Sequence, residues 1–499
     1  PQNFLQLLPL KVGTSGDAQD SSWLLAVLRG HIGNATLAFY ASYFMPMQEW
    51  LLKRAEALGE EGRSVEAKNL LNLFEQVWAL LPGFCACARD VGDAFPSIAK
   101  ALGSAINEHP QVRPAILQGL GLLILSLRSQ KSATPHGAST TLALTPEAST
   151  ALATIGGYAK NFLPLFFNVH QAEPPGRRRQ LQETIRNFAA ITPSPLLGNL
   201  FKAVLRKLLE ASAVTEAEQE LETQCSLVEL LIALCPSLDQ ADVLLLWRAV
   251  RPHLGSASTL LQKKAYKATA TLAEHHSVFV QEKLPELREA MAEAAPLCQA
   301  ACKRKRFACL QALTVQISEP QLMSVLPPLL GETVLATKEA NVKTRAAAFD
   351  LLLVLCATAE KHAGNRASAR AAAVQRLFVM VAAGLAGKSA HMMSASLLAL
   401  SRMLHAYRHV AELVPFSAQL LETVLTLLEH RAQEVVRSVI VFIKVVLSAL
   451  PLEAIEPLLP LLVPPMLSWC SNKHSHLKYQ VRYLMERLFK RVWDEGVTG

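Results

Sequence analysis

One pattern repeats along the chain: an apolar stretch with helical spacing, about 12–20 residues long, then a polar break, then another such stretch. The breaks read RGHIGN, GEEGRS, LLPGFCACARD, NEHPQV, HQAEPPGRRR, ITPSPL, CPSLDQ, RPHLGS, ISEPQ, ATKEAN, KHAGN, GLAGKS and ALPLE. Alternate breaks fall about 35–50 residues apart, the period of units made of two helices. In LLQKKAYKATATL, Leu261, Ala265, Ala268 and Leu272 share one helical face, and Lys263, Lys264 and Lys267 share the opposite one. In LKYQVRYLMERLFKRV, Leu477, Val481, Leu484, Leu488 and Val492 form an apolar stripe. Lys478, Arg482, Arg487, Lys490 and Arg491 lie on its polar side, interleaved with Tyr479 and Tyr483.

The expected fold class is all-α: an armadillo- or HEAT-type α-solenoid of stacked antiparallel helix pairs. One such pair cannot bury its apolar face alone and needs neighbours on both sides. Residues 1–128 are expected to form N-terminal repeats and residues 151–499 C-terminal repeats continuous with them. Between them, residues 129–150 (SQKSATPHGASTTLALTPEAST) are rich in Ser, Thr, Ala and Pro and read as a loop or linker.

Composition agrees. Of the 499 residues, 51% are hydrophobic, 18% charged and 6% aromatic, and Leu and Ala, both good helix formers, dominate. The apolar run Pro114–Leu127 is shorter than the roughly 18–20 residues that span a bilayer. The run Pro451–Trp469 is broken by Pro457, Pro460, Pro464, Pro465 and two glutamates. No membrane partner is expected. The nine cysteines mostly sit in apolar helical stretches such as ETQCSLVELLIALCPSL and read as buried free thiols. The chain starts at Pro1 within apolar sequence, with no secretory signal, and is expected to be an internal part of a longer protein.

Candidate chemistry is sparse. AGLAGKSAH contains the Gly-Lys-Ser of a phosphate loop, but that motif needs glycine five positions before Gly387, where Ala382 stands, and a strand in front rather than an Ala-rich helix. Gly384 and Gly387 instead bracket an inter-helix turn, with a positive φ expected at one of them. Ser389 is expected to cap the next helix, Met393, Leu397, Leu400 and Leu404 to face the core, and Lys388 to be exposed. Cys85 and Cys87 lack a second ligand pair at zinc spacing, as do His474 and His476. Cys298, Cys302 and Cys309 read as a packed thiol stripe on one helix face. The nucleophile-elbow, zinc-protease and dinucleotide motifs are absent. A non-enzyme without cofactor is expected.

The net charge is +8, mild for this length and permissive of nucleic acid without demanding it. CKRKRF places Lys303, Arg304, Lys305 and Arg306 in a row, as a phosphate contact, a nuclear-import signal or a solvated helix face. With the lysines at 263–267, the basic–aromatic face at 478–491 and Lys388, they make up the candidate RNA or partner-binding set. Acidic protein partners would select the same bases.

Seven stretches in order resemble the ribosomal RNA-processing protein 12 family of HEAT-repeat ribosome-assembly factors. They are FYASYFMPM, WALLPGFC, LQKKAYKATATL, ETVLATKEANVKTRAAAFDLLL, AGLAGKSAHMMSASLLALSRML, VVRSVIVFIKVVLSALPLE and HLKYQVRYLMERLFKR. Within them, Leu81–Phe84, Thr337–Asn341 and the GLAGKS segment read as turns. The resemblance implies a non-catalytic role in the nucleus and nucleolus, in the small-subunit processome and pre-40S particle, with maturation of pre-18S RNA. It implies pre-rRNA and assembly factors as partners, a bystin-like protein among them. It further implies a link to pre-ribosome export through Ran-GTP and nucleoporins, with shuttling to the cytoplasm. The alternative is an importin-like transport receptor that binds Ran-GTP and acidic protein cargo.

Overall fold

The structure is a computed structural model that describes residues 2–8, 10, 21–33, 35–86, 88–136, 139–213, 218–471 and 477–496. Cys87, His474 and His476 lie outside the described residues. The chain is an all-α assembly of antiparallel helix pairs, as the HEAT period predicts, and it forms two compact units, Pro1–Val250 and Arg251–Gly499.

In the first unit, helices Leu81–Ala86, Arg113–Ser129, Arg178–Ala189 and Glu218–Leu234 pack one on the next as one layer. Val91–Glu108, Pro146–Gly157, Ala159–Ala172, Ser194–Ala213 and Gln240–Val250 supply the other. The segment read as loop or linker contains an antiparallel hairpin, Lys131–His136 with Ser139–Leu144, in the register Lys131↔Leu144. The hairpin is followed by Thr145, whose hydroxyl accepts from Ala148 N at 3.3 Å and caps helix Pro146–Gly157. Helices on either side of the hairpin pack on each other, Val91–Glu108 against Pro146–Gly157.

Two stretches that resemble the family meet in this unit. Tyr40 and Phe44 of FYASYFMPM lie with ring centroids 5.2 and 5.6 Å from Phe84 of WALLPGFC, all three fully buried. The Asp90 carboxylate accepts from the amides of Leu37 and Ala38 at 2.8 Å each, satisfying free N–H groups at that helix start. Leu81–Phe84, expected as a turn, opens the short helix Leu81–Ala86. A Cβ at Gly83 would stand 2.9 Å from Ile32 Cβ, so close packing explains the glycine there.

In the second unit, helices Thr259–His275, Lys303–Thr314, Val342–His362, Ala390–Ala406 and Gln433–Ala449 form one continuous layer. Ser277–Glu293, Glu319–Ala336, Ala367–Ala382, Val414–Leu425 and Leu459–Ser471 lie on its other side, and Lys478–Gly496 packs on Gln433–Ala449 and Leu459–Ser471. Leu261, Ala265, Ala268 and Leu272 are buried as their spacing predicts, and so are Leu477, Val481, Leu484 and Leu488. Ala367–Ala386 and Ala411–Glu429 are long and apolar enough by composition to cross a membrane. Both are two-sided: Phe378 and Leu421 are buried, while Arg370, Arg376, Glu412 and Glu422 are exposed on the opposite face.

The GLAGKS segment is a turn. Ala383–Ala386 is a short 3-10 element, Gly387 is extended, and the Ser389 hydroxyl accepts from Met392 N to cap helix Ala390–Ala406. Met393, Leu397, Leu400 and Leu404 are buried. The positive φ expected at Gly384 or Gly387 is found at Gly62 and Gly364 instead, in other turns. Gly384 is required by crowding: a Cβ there would sit 2.2 Å from Ser396 Oγ. That hydroxyl is itself buried with no hydrogen-bond partner among the described residues.

Gly384→Ala should therefore cost about 1–3 kcal/mol, the usual range for overpacking, in urea unfolding. Ser396→Ala in the same background should recover part of the loss, since it removes the clashing atom and an unsatisfied buried hydroxyl. A double variant no more stable than Gly384→Ala would place the strain elsewhere.

Candidate nucleic-acid interface

The candidate bases have different fates, set by helical phase and tertiary packing. Helix Thr259–His275 packs along helix Lys303–Thr314. Two basic clusters some forty positions apart in sequence thereby face one neighbourhood. Lys263, Lys264 and Lys267 are half-buried there, Arg304 is exposed and Lys305 half-buried. Burial lowers the Lys305 pKa from the ordinary lysine value, and the charges of Arg304 and Lys264 lower it further. Gathering like charges is unfavourable for the free chain, and a polyanion set against them relieves it.

Arg306 leaves this set. It is 3% exposed. Its Nε and Nη2 donate to Glu332 Oε1 and Oε2 at 2.6 and 2.8 Å, and Nη1 donates to the Met291 carbonyl at 2.8 Å. Burial opposes its charge, but the bonds and charge of Glu332 outweigh that and raise its pKa above the ordinary arginine value. Lys303 is paired with Glu339. Four consecutive bases thus divide: two structural, Arg304 and Lys305 toward the surface.

The second basic region is helix Lys478–Gly496. Arg482, Arg487 and Lys490 are exposed, and Lys478 Nζ stands 5.1 Å over the Tyr479 ring. Arg491 is committed elsewhere, its guanidinium donating to the carbonyls of Leu447 and Leu450 and closing the end of helix Gln433–Ala449. Tyr479 and Tyr483 are 68% and 53% exposed, and Phe489 and Trp493, which the sequence reading missed, are 65% and 74% exposed. Spacing could have revealed them, because neither falls on the stripe from Leu477 to Leu488. Glu486 is exposed among the bases, so the face is mostly rather than purely positive. Lys388 is exposed in the GLAGKS turn.

Most of the described cysteines are buried, and Cys298 is half-buried. The three cysteines expected on one helix face are not on one helix. Cys298 lies in the turn before helix Lys303–Thr314, Cys302 at its N-cap and Cys309 within it, because the preceding helix ends at Glu293. Burial pushes the thiols of Cys85, Cys309 and Cys356 up to about 12, which suppresses thiolate chemistry. In the first unit His170 Nδ1 lies 3.1 Å from Ser226 Oγ and Nε2 lies 3.5 Å from a Glu229 oxygen. That arrangement has the elements of a hydrolytic triad, but His170 is fully buried and Ser226 is 2% exposed, so no substrate reaches it. It serves as a polar tie between helices.

The family model for ribosomal RNA-processing protein 12, HEAT repeats, matches residues 1–173. The RRP12-like protein of Gallus gallus is 33% identical over 514 residues, taking in 100% of this chain and 37% of the relative. The RRP12-like protein of Homo sapiens is 30% identical over 508 residues, with 100% and 37% covered. The chain belongs to the ribosomal RNA-processing protein 12 family. It spans well under half the length of these relatives. Among solved structures, a crystal structure of importin β is 12% identical with a TM-score of 0.45, over 98% of this chain and 60% of that one.

Family markers in the second unit coincide with inter-repeat ties. In the Thr337–Asn341 turn, Asn341 Oδ1 accepts from Lys343 N and Thr344 N at 2.8 and 3.2 Å to cap helix Val342–His362. Lys338 reaches across to Ser394 Oγ at 2.9 Å and to the Glu434 carboxylate.

Arg306→Ala should cost about 1–3 kcal/mol, because it leaves half-buried Glu332 and the Met291 carbonyl without their donor, whereas Arg304→Ala should stay within about 0.5 kcal/mol. Chemical denaturation of the two variants measures the contrast. Equal, small losses would mean that the buried pair contributes nothing.

Proposed function

We propose that the chain is a non-catalytic HEAT-repeat scaffold of small-subunit ribosome biogenesis. It holds pre-rRNA and assembly factors in the nucleolar processome and pre-40S particle, and so aids pre-18S rRNA maturation and pre-ribosome export. Family membership supports the ribosomal RNA-processing part. The observation that carries the RNA contact is the convergence of Lys263, Lys264 and Lys267 with Arg304 and Lys305 on two packed helices. Clustered bases on a rigid layer neutralise phosphates without a rearrangement, and binding releases counterions. Arg487, Lys490 and the exposed rings of Tyr479, Tyr483, Phe489 and Trp493 add a second surface. There single-stranded bases stack on aromatic faces while cations meet the backbone.

Binding of a fluorescent single-stranded RNA of about 20 nucleotides, followed by anisotropy across a salt series, tests this reading. Affinity should fall linearly on a log–log plot, each phosphate contact contributing about 0.7 to the slope. Lys264→Glu with Lys305→Glu should weaken binding at least about tenfold and shallow the slope by about 1.4. Tyr483→Ala with Trp493→Ala should weaken binding with little change in slope, since stacking is neutral. If the charge reversals leave both affinity and slope where they were, the first surface does not touch RNA.

A further inference from the structure

Some lysines of the second unit are neutralised by acids distant in sequence: Lys303 pairs with Glu339, and Lys338 with Glu434. Lys305 is set differently. It lies half-buried in the first turn of helix Lys303–Thr314, and that helix contains no acid. Helix Thr259–His275 packs along it and brings Lys264 to bear on Lys305, with Arg304 adjacent in sequence. Those two charges, both positive, are the ones that act on this amine. Among the described residues, no carboxylate of Thr259–His275 or of the other flanking helix, Val342–His362, offsets them.

Each of these features disfavours the ammonium form. Burial first, then the charges of Arg304 and Lys264, lower the Lys305 pKa from the ordinary lysine value. The partial positive charge of a helix start acts in the same sense. A lysine that is desolvated or set beside another cation carries a free lone pair more often at neutral pH, which makes it a nucleophile. Half-exposure keeps the Nζ atom within reach of a small reagent.

We propose that Lys305 is an acylation site, whose amine takes an acyl group from an activated thioester. The Nζ lone pair attacks the thioester carbonyl carbon, the C–S bond breaks, and the thiolate leaves with the electron pair. The proton shed by nitrogen passes to that thiolate or to water, and a neutral amide remains. Acylation thus removes one charge from the crowded cluster and relieves its repulsion. The consequence for ligands rests on the RNA reading above: a phosphate set against the cluster holds Lys305 protonated, so RNA binding and acylation oppose each other.

The whole chain, treated with the small uncharged thioester N,S-diacetylcysteamine from about pH 7 to about pH 9.5, tests the proposal, with mass spectrometry following each lysine below the ordinary lysine pKa. Near neutral pH, Lys305 should be acetylated at least about threefold faster than exposed Lys343 and Lys388. Its lead should shrink as pH rises, because ordinary lysines then lose their protons too, whereas a lead from access alone would persist. Arg304→Gln, at an exposed position, should slow Lys305 about twofold and leave Lys388 unchanged, since it removes one of the two cations acting on that amine. A single-stranded RNA of about 20 nucleotides should slow Lys305 and spare exposed Lys160 of the first unit. Labelling of Lys305 no faster than of Lys343 and Lys388, a lead constant with pH, or indifference to Arg304→Gln would overturn the proposal. Selective acetylation without protection by RNA would leave the acylation site standing and overturn the RNA reading of this surface.

Discussion

The structure depends on the need of each helix in the continuous layers to bury apolar surface against two neighbours at once. Helix Ala390–Ala406 shows the consequence. Its buried set includes Leu397, Leu400 and Leu404, but also Ala395, Ala399, Ser394, Ser396 and Ser401. Small residues let the backbones of successive repeats come close, and their hydroxyls must then find acceptors. Ser394 Oγ meets Ser438 Oγ of the next helix at 2.7 Å, and Ser401 donates back to the Leu397 carbonyl. At Gly384 a Cβ would meet Ser396 Oγ of this same helix at 2.2 Å. A feature that looks like part of a phosphate loop is thus a turn folded tightly onto the helix that follows it.

Close packing also decides which charges remain available. A buried base survives only when paired and fully hydrogen-bonded. Arg306 meets that condition through both oxygens of Glu332 and the Met291 carbonyl. Arg178, 3% exposed, meets it in the first unit through the Glu173 carbonyl and the carboxylates of Glu222 and Glu229. These pairs join different helices and hold their register. What is left for ligands is the remainder: bases turned outward by helical phase, such as Arg304 and Lys305 beside the buried Arg306.

The repeat and its apolar stripes were legible in the sequence because a helix periodicity of 3.6 residues is local. The stripes from Leu261 to Leu272 and from Leu477 to Leu488 needed no tertiary information. The Ser389 cap was legible for the same reason, since capping is a contact three residues long. The fate of Arg306 was not, because its partner Glu332 sits on another helix and a run of four bases looks uniform in one dimension. The cysteine stripe failed because the turn after Glu293 breaks the helix that the spacing assumed. The meeting of Lys264 with Lys305 depends on which helices stack, which the period suggests but does not specify. The trough lined by Leu310, Leu313 and Leu329 was not legible either, because it exists only where helices Ser277–Glu293 and Glu319–Ala336 of one layer stand apart.

The helix Lys303–Thr314 joins these themes. Its polar face presents Arg304 and Lys305 with the lysines of helix Thr259–His275, and its apolar face presents Leu310 and Leu313 as the floor of a trough between helices Ser277–Glu293 and Glu319–Ala336. Buried Arg306 lies between, tied to Glu332 on one of the trough's walls. The pair therefore holds the wall helix Glu319–Ala336 to the floor while its neighbours serve the opposite surface. An ion pair to another helix thus fixes which side of helix Lys303–Thr314 turns to solvent, and the outward placement of Arg304 follows from the inward placement of Arg306 two positions on.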